Sequence, residues 1–346
     1  VDALRPVFKI VANGSDITAL INDRMLLIRT IDKPGASSDD FELRIDDRDG
    51  AVTLPKRGAK MDVYLGYESQ RLTLMGHYTV DEIELSGSPD TLVIRSKSGD
   101  TRSDAKTTRS GSWEGASLAT IVADIAGRNG WKPECTVQTP VERADQLTES
   151  DLNFITRLAR QYDCTAKVAN NKLIVLPRQG GVTASGKAVP VLVIKRSDVS
   201  RWQFRLGDDN VKKAVKAAYE DKNGDLVTVQ LDNDKMTEGL PPIHTDRHIH
   251  ANKSAAEAAA KARLACFNRS TAAVRLEMPG RTDLFAEREI NAQGFKNGLD
   301  GNYLIDSVEQ VFTQAGWSTT VECNGGKKGK ASAKGKPKKP LRVIQL

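Results

Sequence analysis

The residues best equipped for chemistry in this 346-residue chain lie in His244-Thr-Asp-Arg-His-Ile-His250. Imidazoles at His244, His248 and His250, with Asp246 in support, are ligand types that zinc accepts. The run follows Pro241-Pro242, so it reads equally as a polar connecting loop, and no further ligand set accompanies it. Acids also come in pairs, at Asp46-Asp47 and at Asp81-Glu82 with Glu84. Glycoside hydrolysis needs two carboxyls held about 5–10 Å apart across a cleft, whereas acids beside strand turns are ordinarily solvated. No GxSxG, P-loop, HExxH or strand-borne GxGxxG motif occurs. The expectation is a protein without catalytic site, metal or cofactor.

The elements that would carry these residues are of a soluble, multidomain kind. Charged residues make up 28% and mean hydropathy is −0.42. A chain of this length exceeds one small core, so two or three domains are expected. No apolar run approaches the roughly 20 residues that span a bilayer. The opening Val-Asp-Ala-Leu-Arg-Pro lacks the parts of a signal peptide, which predicts synthesis in a bacterial cytoplasm and no membrane anchor. Cys135, Cys164, Cys266 and Cys323 are scattered without a CxxC pair, predicting reduced, mostly buried thiols. The formal net charge of +6 is misleading: from Asn324 onward there are eight basic residues and no acid, which leaves 43 basic against 45 acidic residues before it. A near-neutral body argues against a broad nucleic-acid-binding surface.

Residues 1–108 read as six or seven strands of a barrel or sandwich. Asn13-Gly14 marks a hairpin between Val7–Val11 and Ile17–Leu20. Phe41, Leu43 and Ile45 alternate strictly with polar residues, as one buried sheet face requires. Further strands fall at Met61–Leu65, Leu72–Val80 and Leu92–Ser96, with Gly58, Gly66, Gly76 and Gly87 as punctuation. Residues 109–186 read as a compact unit of two helices and a hairpin. The first helix opens at Ser117 with Leu118, Ile121, Val122 and Ile125 on one face. The hairpin pairs Thr165–Val168 with Leu173–Leu176. Residues 187–323 return to strand character, interrupted by an alanine-rich helix near 254–267 behind the capping box Ser254-Ala-Ala-Glu257. The fold class is β-rich α+β.

The second helix of the middle unit sits in Gln146-Leu-Thr-Glu-Ser-Asp-Leu-Asn-Phe-Ile-Thr-Arg-Leu-Ala-Arg-Gln-Tyr162. Thr148 is its expected cap and Asp151 places charge at the positive end of the dipole. Leu152, Ile155, Leu158, Ala159 and Tyr162 form its apolar stripe.

Residues 324–346 read as a flexible cationic tail, with Lys327, Lys328, Lys330, Lys334, Lys336, Lys338 and Lys339 serving a polyanion or simply a solvated spacer. The chain ends in Leu341-Arg-Val-Ile-Gln-Leu346. Leu341, Val343, Ile344 and Leu346 suit addition of a strand to a partner's sheet edge.

As a string, the Gln146–Tyr162 segment resembles the start of the second helix in the phage late control gene D family, the tail-hub subunits of contractile phages, which are similar to the hub half of VgrG proteins. The likeness extends over most of residues 1–323. It takes in Asp16-Ile-Thr18, Gly58, Leu65-Gly66-Tyr67, Gly76-His-Tyr-Thr-Val-Asp81, Trp113, Leu299-Asp-Gly-Asn-Tyr-Leu-Ile305 and Gly316-Trp-Ser-Thr319. The lysine tail lies outside that pattern. The resemblance implies two tube-protein-like β-barrels with a helical α/β domain between them. It also implies a homotrimer whose six barrels present pseudo-sixfold symmetry, adapting a hexameric tail tube to a trimeric central spike. Other baseplate proteins and the tape-measure protein are the further partners it implies, with the virion tail, or a phage-tail-like particle, as location. The alternatives are a nucleic-acid-binding regulator acting through the tail and a tail-tip cell-wall hydrolase.

Overall fold

The computed structural model describes residues 5–35, 39–98, 107–169, 171–181, 187–207, 210–233 and 242–330. The first part is made of strands β1 (Pro6–Ala12), β2 (Ser15–Asp16), β3 (Met25–Asp32), β4 (Asp40–Asp46), β5 (Lys60–Tyr67), β6 (Thr73–Ser86) and β7 (Thr91–Lys97), with a short helix α1 (Thr18–Ile21) before β3. Period-two patterning sets its core: Phe41, Leu43 and Ile45 of β4 point inward beside Ile10, Met61, Val63, Leu65 and Leu92.

Local signals here were partly overruled. Asn13 and Gly14 both take positive φ, as a two-residue hairpin demands, but the returning strand is only Ser15–Asp16. Ile17 and Leu20, expected on that strand, instead flank and enter α1, and Leu20 is exposed. Thr18 supplies the reason. Its hydroxyl accepts the Ile10 N–H at 3.0 Å while Asp16 accepts the Thr18 N–H at 3.0 Å, so a side chain replaces the ladder. The main partner of β1 is β5, from Pro6 opposite Tyr67 to Ala12 opposite Met61. Gly66 and Gly76 lie inside strands rather than between them. A Cβ at Gly76 would stand 2.7 Å from the Tyr78 ring, so packing demands the glycine.

The middle unit comprises β8 (Thr108–Ser117), α2 (Leu118–Arg128), β9 (Lys132–Cys135), β10 (Pro140–Ser150), α3 (Asp151–Gln161), β11 (Cys164–Ala169) and β12 (Lys172–Pro177). Ser117 caps α2 by accepting the Thr120 N–H. The cap of α3 is Ser150, which accepts from Asn153 N–H. Thr148, the expected cap, sits at positive φ where the β10–β8 register slips. The β8–β10 pair was not anticipated, because its Arg-, Glu- and Ser-rich segments bury few side chains, chiefly Trp113, Val141, Ala144 and Gln146. Trp113 stacks on Phe154 at 4.8 Å between ring centroids, closing a core with Leu118, Ile121, Ile125 and Leu158.

The last part contains β13 (Leu192–Lys195), β14 (Arg201–Leu206), β15 (Ala214–Glu220), β16 (Leu226–Asp232), β17 (His244–His250), α4 (Lys253–Arg269), β18 (Ala272–Pro279), β19 (Glu289–Gln293), β20 (Gly301–Thr313) and β21 (Gly316–Asn324). The single strand block expected here is divided. β16, β15 and β17 form their own sheet under α4, with a core of Val215, Ala217, Ala256, Ala260 and Leu264. Asn252 caps α4 by accepting the Ala255 N–H, in place of the capping box expected at Ser254.

The remaining strands extend the first sheet, in the order β14-β18-β21-β20-β3-β4-β7-β6-β5-β1-β2, with β13 and β19 added beside β20. β20 runs antiparallel to β21 and also to β3, from Val308 opposite Asp32 to Phe312 opposite Ile28. Tyr303, Ile305, Val308 and Val321 of this hairpin fill a core with Leu276, Met278 and Ile290. Its far end, Phe312 and Trp317, enters the first core, where Phe312 meets Phe8 edge-on at 5.4 Å. The seat of Trp317 is tight. Its indole donates to Gln310 at 2.9 Å, and a Cβ on Gly280 would fall 1.9 Å from the ring.

Gly280→Ala is therefore expected to lower stability by about 1–3 kcal/mol through overpacking. Gly127→Ala in α2, where a Cβ meets nothing within 4 Å, is expected to raise it by up to about 1 kcal/mol. Denaturant midpoints of the two variants measure this, and a neutral Gly280→Ala would show that the hairpin end is not rigidly seated.

Candidate functional site

The residues singled out for chemistry are dispersed and already engaged. The His244–His250 run is a strand, β17, and not a loop, since β15 pairs with it in parallel. His244 packs edge-on against Phe267 at 4.9 Å, while His248 and His250 contact each other at 4.9 Å. Burial lowers the pKa of His244, helped by Arg263, and that of His250, helped by His248. Among the described residues, no three His, Cys, Asp or Glu side chains gather as a metal would require. Asp46 is bound by Arg48 at 2.5 Å, Asp47 is buried and accepts the Val52 N–H, and Arg95 lies between Glu82 and Glu84 at 3.0 and 2.8 Å. All four cysteines are free thiols; Cys164 and Cys323 are buried, but Cys266 is exposed. Burial pushes the Cys164 thiol up to about 12, which keeps it unreactive.

The polar residues of the Gln146–Tyr162 segment build structure. Gln146 and Asp151 are both fully buried. Asp151 accepts from Asn129 Nδ2 and Gln146 Nε2, each at 2.9 Å, with Arg128 and Arg109 at 3.7 and 3.8 Å. One carboxylate thus ties α3 to β10, β8 and the end of α2. Buried charge of this kind is tolerable only when so fully partnered.

The functional candidates are contacts between units and the surfaces left open. Lys167 of β11 reaches Asp32 at 3.0 Å and Asp39 at 2.8 Å, while the other Asp32 oxygen accepts the Ala286 N–H at 2.8 Å. The end of β3 thereby meets the middle unit and the last part at one point. Burial pushes Asp39 up to about 6, with the Asp32 charge adding to it and Lys167 opposing. Burial disfavours the Lys167 charge, yet the two carboxylates hold it above the ordinary lysine range. Arg178 bonds Glu287 at 3.0 Å, and Arg269 bonds Asp163 at 2.7 Å. A cavity of about 450 Å³ lies at this junction, walled by Pro34, Ile174, Leu176, Val191 and Phe285. Sequence reasoning missed the junction because its partners lie more than 100 residues apart in the chain.

At the end of the large sheet, β14 pairs among the described residues only with β18, and it exposes Trp202 and Leu206. In the small sheet, β16 and β17 pair among the described residues only with β15, with Leu226 and Ile249 exposed. Such rows of unpaired backbone groups favour strand pairing with another chain.

The tail does not leave the body at Asn324. Lys327 donates its amide to Gln179 at 2.6 Å, accepts from Asn268 Nδ2 at 2.9 Å and reaches Asp163 at 3.5 Å. The Lys330 ammonium lies 4.1 Å above the Tyr303 ring, and its amide donates to Thr271 at 2.7 Å. Gly326 and Gly329 take positive φ, and a Cβ on Gly329 would stand 3.1 Å from the Asn268 carbonyl. These glycines serve close approach, which corrects the expectation of a flexible linker from 324. Lys328 is exposed. Lys334, Lys336, Lys338, Lys339, Leu341, Val343, Ile344 and Leu346 lie outside the described residues.

Comparison with known proteins bears on these surfaces. Residues 36–316 match the family model described as phage tail baseplate hub (GPD). The chain is 30% identical to a probable baseplate hub protein of Escherichia phage 186, covering 92% of this chain and 93% of that protein. Its fold is similar to that of the 43 kDa tail protein of prophage MuSo2 from Shewanella oneidensis, with a TM-score of 0.69 at 16% identity over 92% of this chain and 98% of the other. An Escherichia coli component of the type VI secretion system shares the fold at a TM-score of 0.52 and 13% identity, over 87% of this chain and 73% of the other.

The junction also sets a pH dependence. Asp39 holds its proton up to about pH 6 in the fold but only to about 3.8 when unfolded. Unfolding between those values releases a proton, so this group makes stability fall as pH rises from about 4 to about 6, with no further change above. Asp39→Asn is expected to remove that component, on the order of 1–3 kcal/mol. Melting temperatures of both proteins across this range test it, and parallel pH profiles would refute the assignment.

Proposed function

The chain belongs to the phage tail baseplate hub family, whose members are structural components of the virion tail, and from that premise we propose that it works as a symmetry adapter. In this reading the protein is a homotrimer. Each subunit gives two tube-like barrels to a ring, the first from residues 1–108 and the second from 187–323, with the α/β domain of 109–186 between them. Six similar barrels seat a hexameric tail tube on one face, while the threefold assembly receives a trimeric spike on the other.

The observation that carries this reading is the shared β20–β21 hairpin, which locks two strand groups of comparable size side by side in one sheet. A ring built from such pairs has a threefold repeat in sequence and a near-sixfold repeat in shape. The exposed edge at β14 offers backbone pairing for a neighbouring copy. The small β15–β17 sheet with α4 adds an outer layer for other baseplate proteins. The tail beyond Lys330 tethers the spike, with Leu341, Val343, Ile344 and Leu346 as the strand that docks. Because residues 324–330 are bound to the body, the tether starts from a fixed point, which raises the effective concentration of its end.

Native mass measurement of the purified chain, followed by imaging of the tail tip, is expected to give a ring-shaped trimer between tube and spike. A strictly monomeric subunit within intact particles would exclude the proposal. Removal of residues 331–346 is expected to leave the trimer intact and to reduce spike co-purification severalfold. Unchanged co-purification would remove the tether role alone.

A further inference from the structure

A second cleft, of about 390 Å³, lies between the C-terminal halves of α3 and α4, strand β17 and the chain leaving β12. Its wall includes Arg160, Arg178, Arg263 and Arg269, together with His248 and His250, against only two acids, Asp163 and Asp246. With both imidazoles neutral, the wall carries an excess of two positive charges. Asp163 is already engaged by Arg269 at 2.7 Å and Lys327 at 3.5 Å, and Asp246 accepts the His248 N–H at 3.2 Å. Arg178 is held by Glu287 and Asp306 at 3.0 and 3.6 Å. Among the described residues, no carboxylate is within ion-pair distance of Arg160 or Arg263. Arg269 is only 5% exposed, and its Nε has no hydrogen-bond partner, as is also true of His250 Nε2.

Part of this charge has a structural use. Arg160 and Arg269 stand in the last turns of α3 and α4, where cations offset the negative helix end. The end carbonyls themselves are occupied, since Arg160 and Cys266 accept the amides of Asp163 and Ser270 and Arg269 accepts that of Gly325. Arg263 has no such role, because it lies well inside α4. A buried guanidinium with an unused Nε donor, beside two exposed cations outside ion-pair distance of any described carboxylate, leaves an excess of positive charge that the described residues do not neutralise.

We propose that this cleft binds a multivalent phosphate, held by Arg263 and Arg160 at its mouth with Arg269 fixed behind them. The fork of a guanidinium matches a phosphate oxygen pair, and the excess of two charges matches a dianion better than a single carboxylate. The volume exceeds one phosphate, so it admits either a free polyphosphate or successive phosphates of a nucleic-acid strand. The site does not depend on the adapter reading, since every residue comes from one subunit.

The test uses the full chain and calorimetric titration with sodium tripolyphosphate at ionic strength on the order of 50 mM, where phosphate contacts are strong. The double variant Arg160→Gln, Arg263→Gln removes two exposed cations without acidic partners, so the fold is retained, as melting temperature and circular dichroism verify. Affinity is expected to fall at least about tenfold in this variant, while a chain lacking residues 331–346 keeps native affinity. No binding by the native chain, or equal binding by the double variant, would overturn the proposal and assign any affinity to the lysine tail. Competition by a short single-stranded oligonucleotide, in the chain lacking 331–346, distinguishes the source. Displacement of tripolyphosphate supports nucleic-acid phosphates at the site, and lack of displacement supports a free polyphosphate.

Discussion

The structure depends on the β20–β21 hairpin being long enough to serve two cores. One end of it buries Tyr303, Ile305 and Val321 in the last part of the chain, and the other end delivers Phe312 and Trp317 to the first. Between them, the β3–β20 ladder joins segments separated by some 280 residues. Closing so long a loop carries an entropic cost that grows only slowly with length, whereas each buried aromatic contributes on the order of 2–3 kcal/mol. The long-range contact therefore wins, and the two strand groups cannot move as independent bodies without emptying a core.

Around this frame, polar contacts set orientation. Lys167 between Asp32 and Asp39, Arg178 on Glu287, and Arg269 with Lys327 on Asp163 all join elements from different parts of the chain. Directional pairs of this type add less net stability than the apolar cores, because desolvation offsets much of the attraction. They do penalise misplaced neighbours. The Asp151 network acts likewise within the middle unit, holding two helices and two strands on one carboxylate.

How far the fold was legible follows from which residues carried the information. β4 and α2 were readable because alternation and a capped apolar stripe are local signals. β8 and β10 were not, since each satisfies its backbone against the other while burying few side chains. The Thr148 and Ser254 caps failed by a few residues, because neighbouring Ser150 and Asn252 have equally suitable side chains and tertiary geometry selects among them. The histidine run looked like chemistry only in one dimension. On β17, His244 is taken up by packing on Phe267, while His248 and His250 line a cleft with arginines drawn from α3, α4 and the chain after β12.

The sequence by itself determined the β-rich class, the helical middle, the neutral body with a basic end, and the family likeness, because each rests on composition or on patterns within about twenty residues. Only the tertiary structure decided that the small β15–β17 sheet stands apart, that one hairpin serves two cores, and that Lys327 and Lys330 belong to the body rather than the tail. Those outcomes depend on which distant surfaces meet. The glycines at 326 and 329 show the difference well: in sequence they read as freedom, and in the fold a Cβ would crowd the Gln179 side chain at 326 and the Asn268 carbonyl at 329.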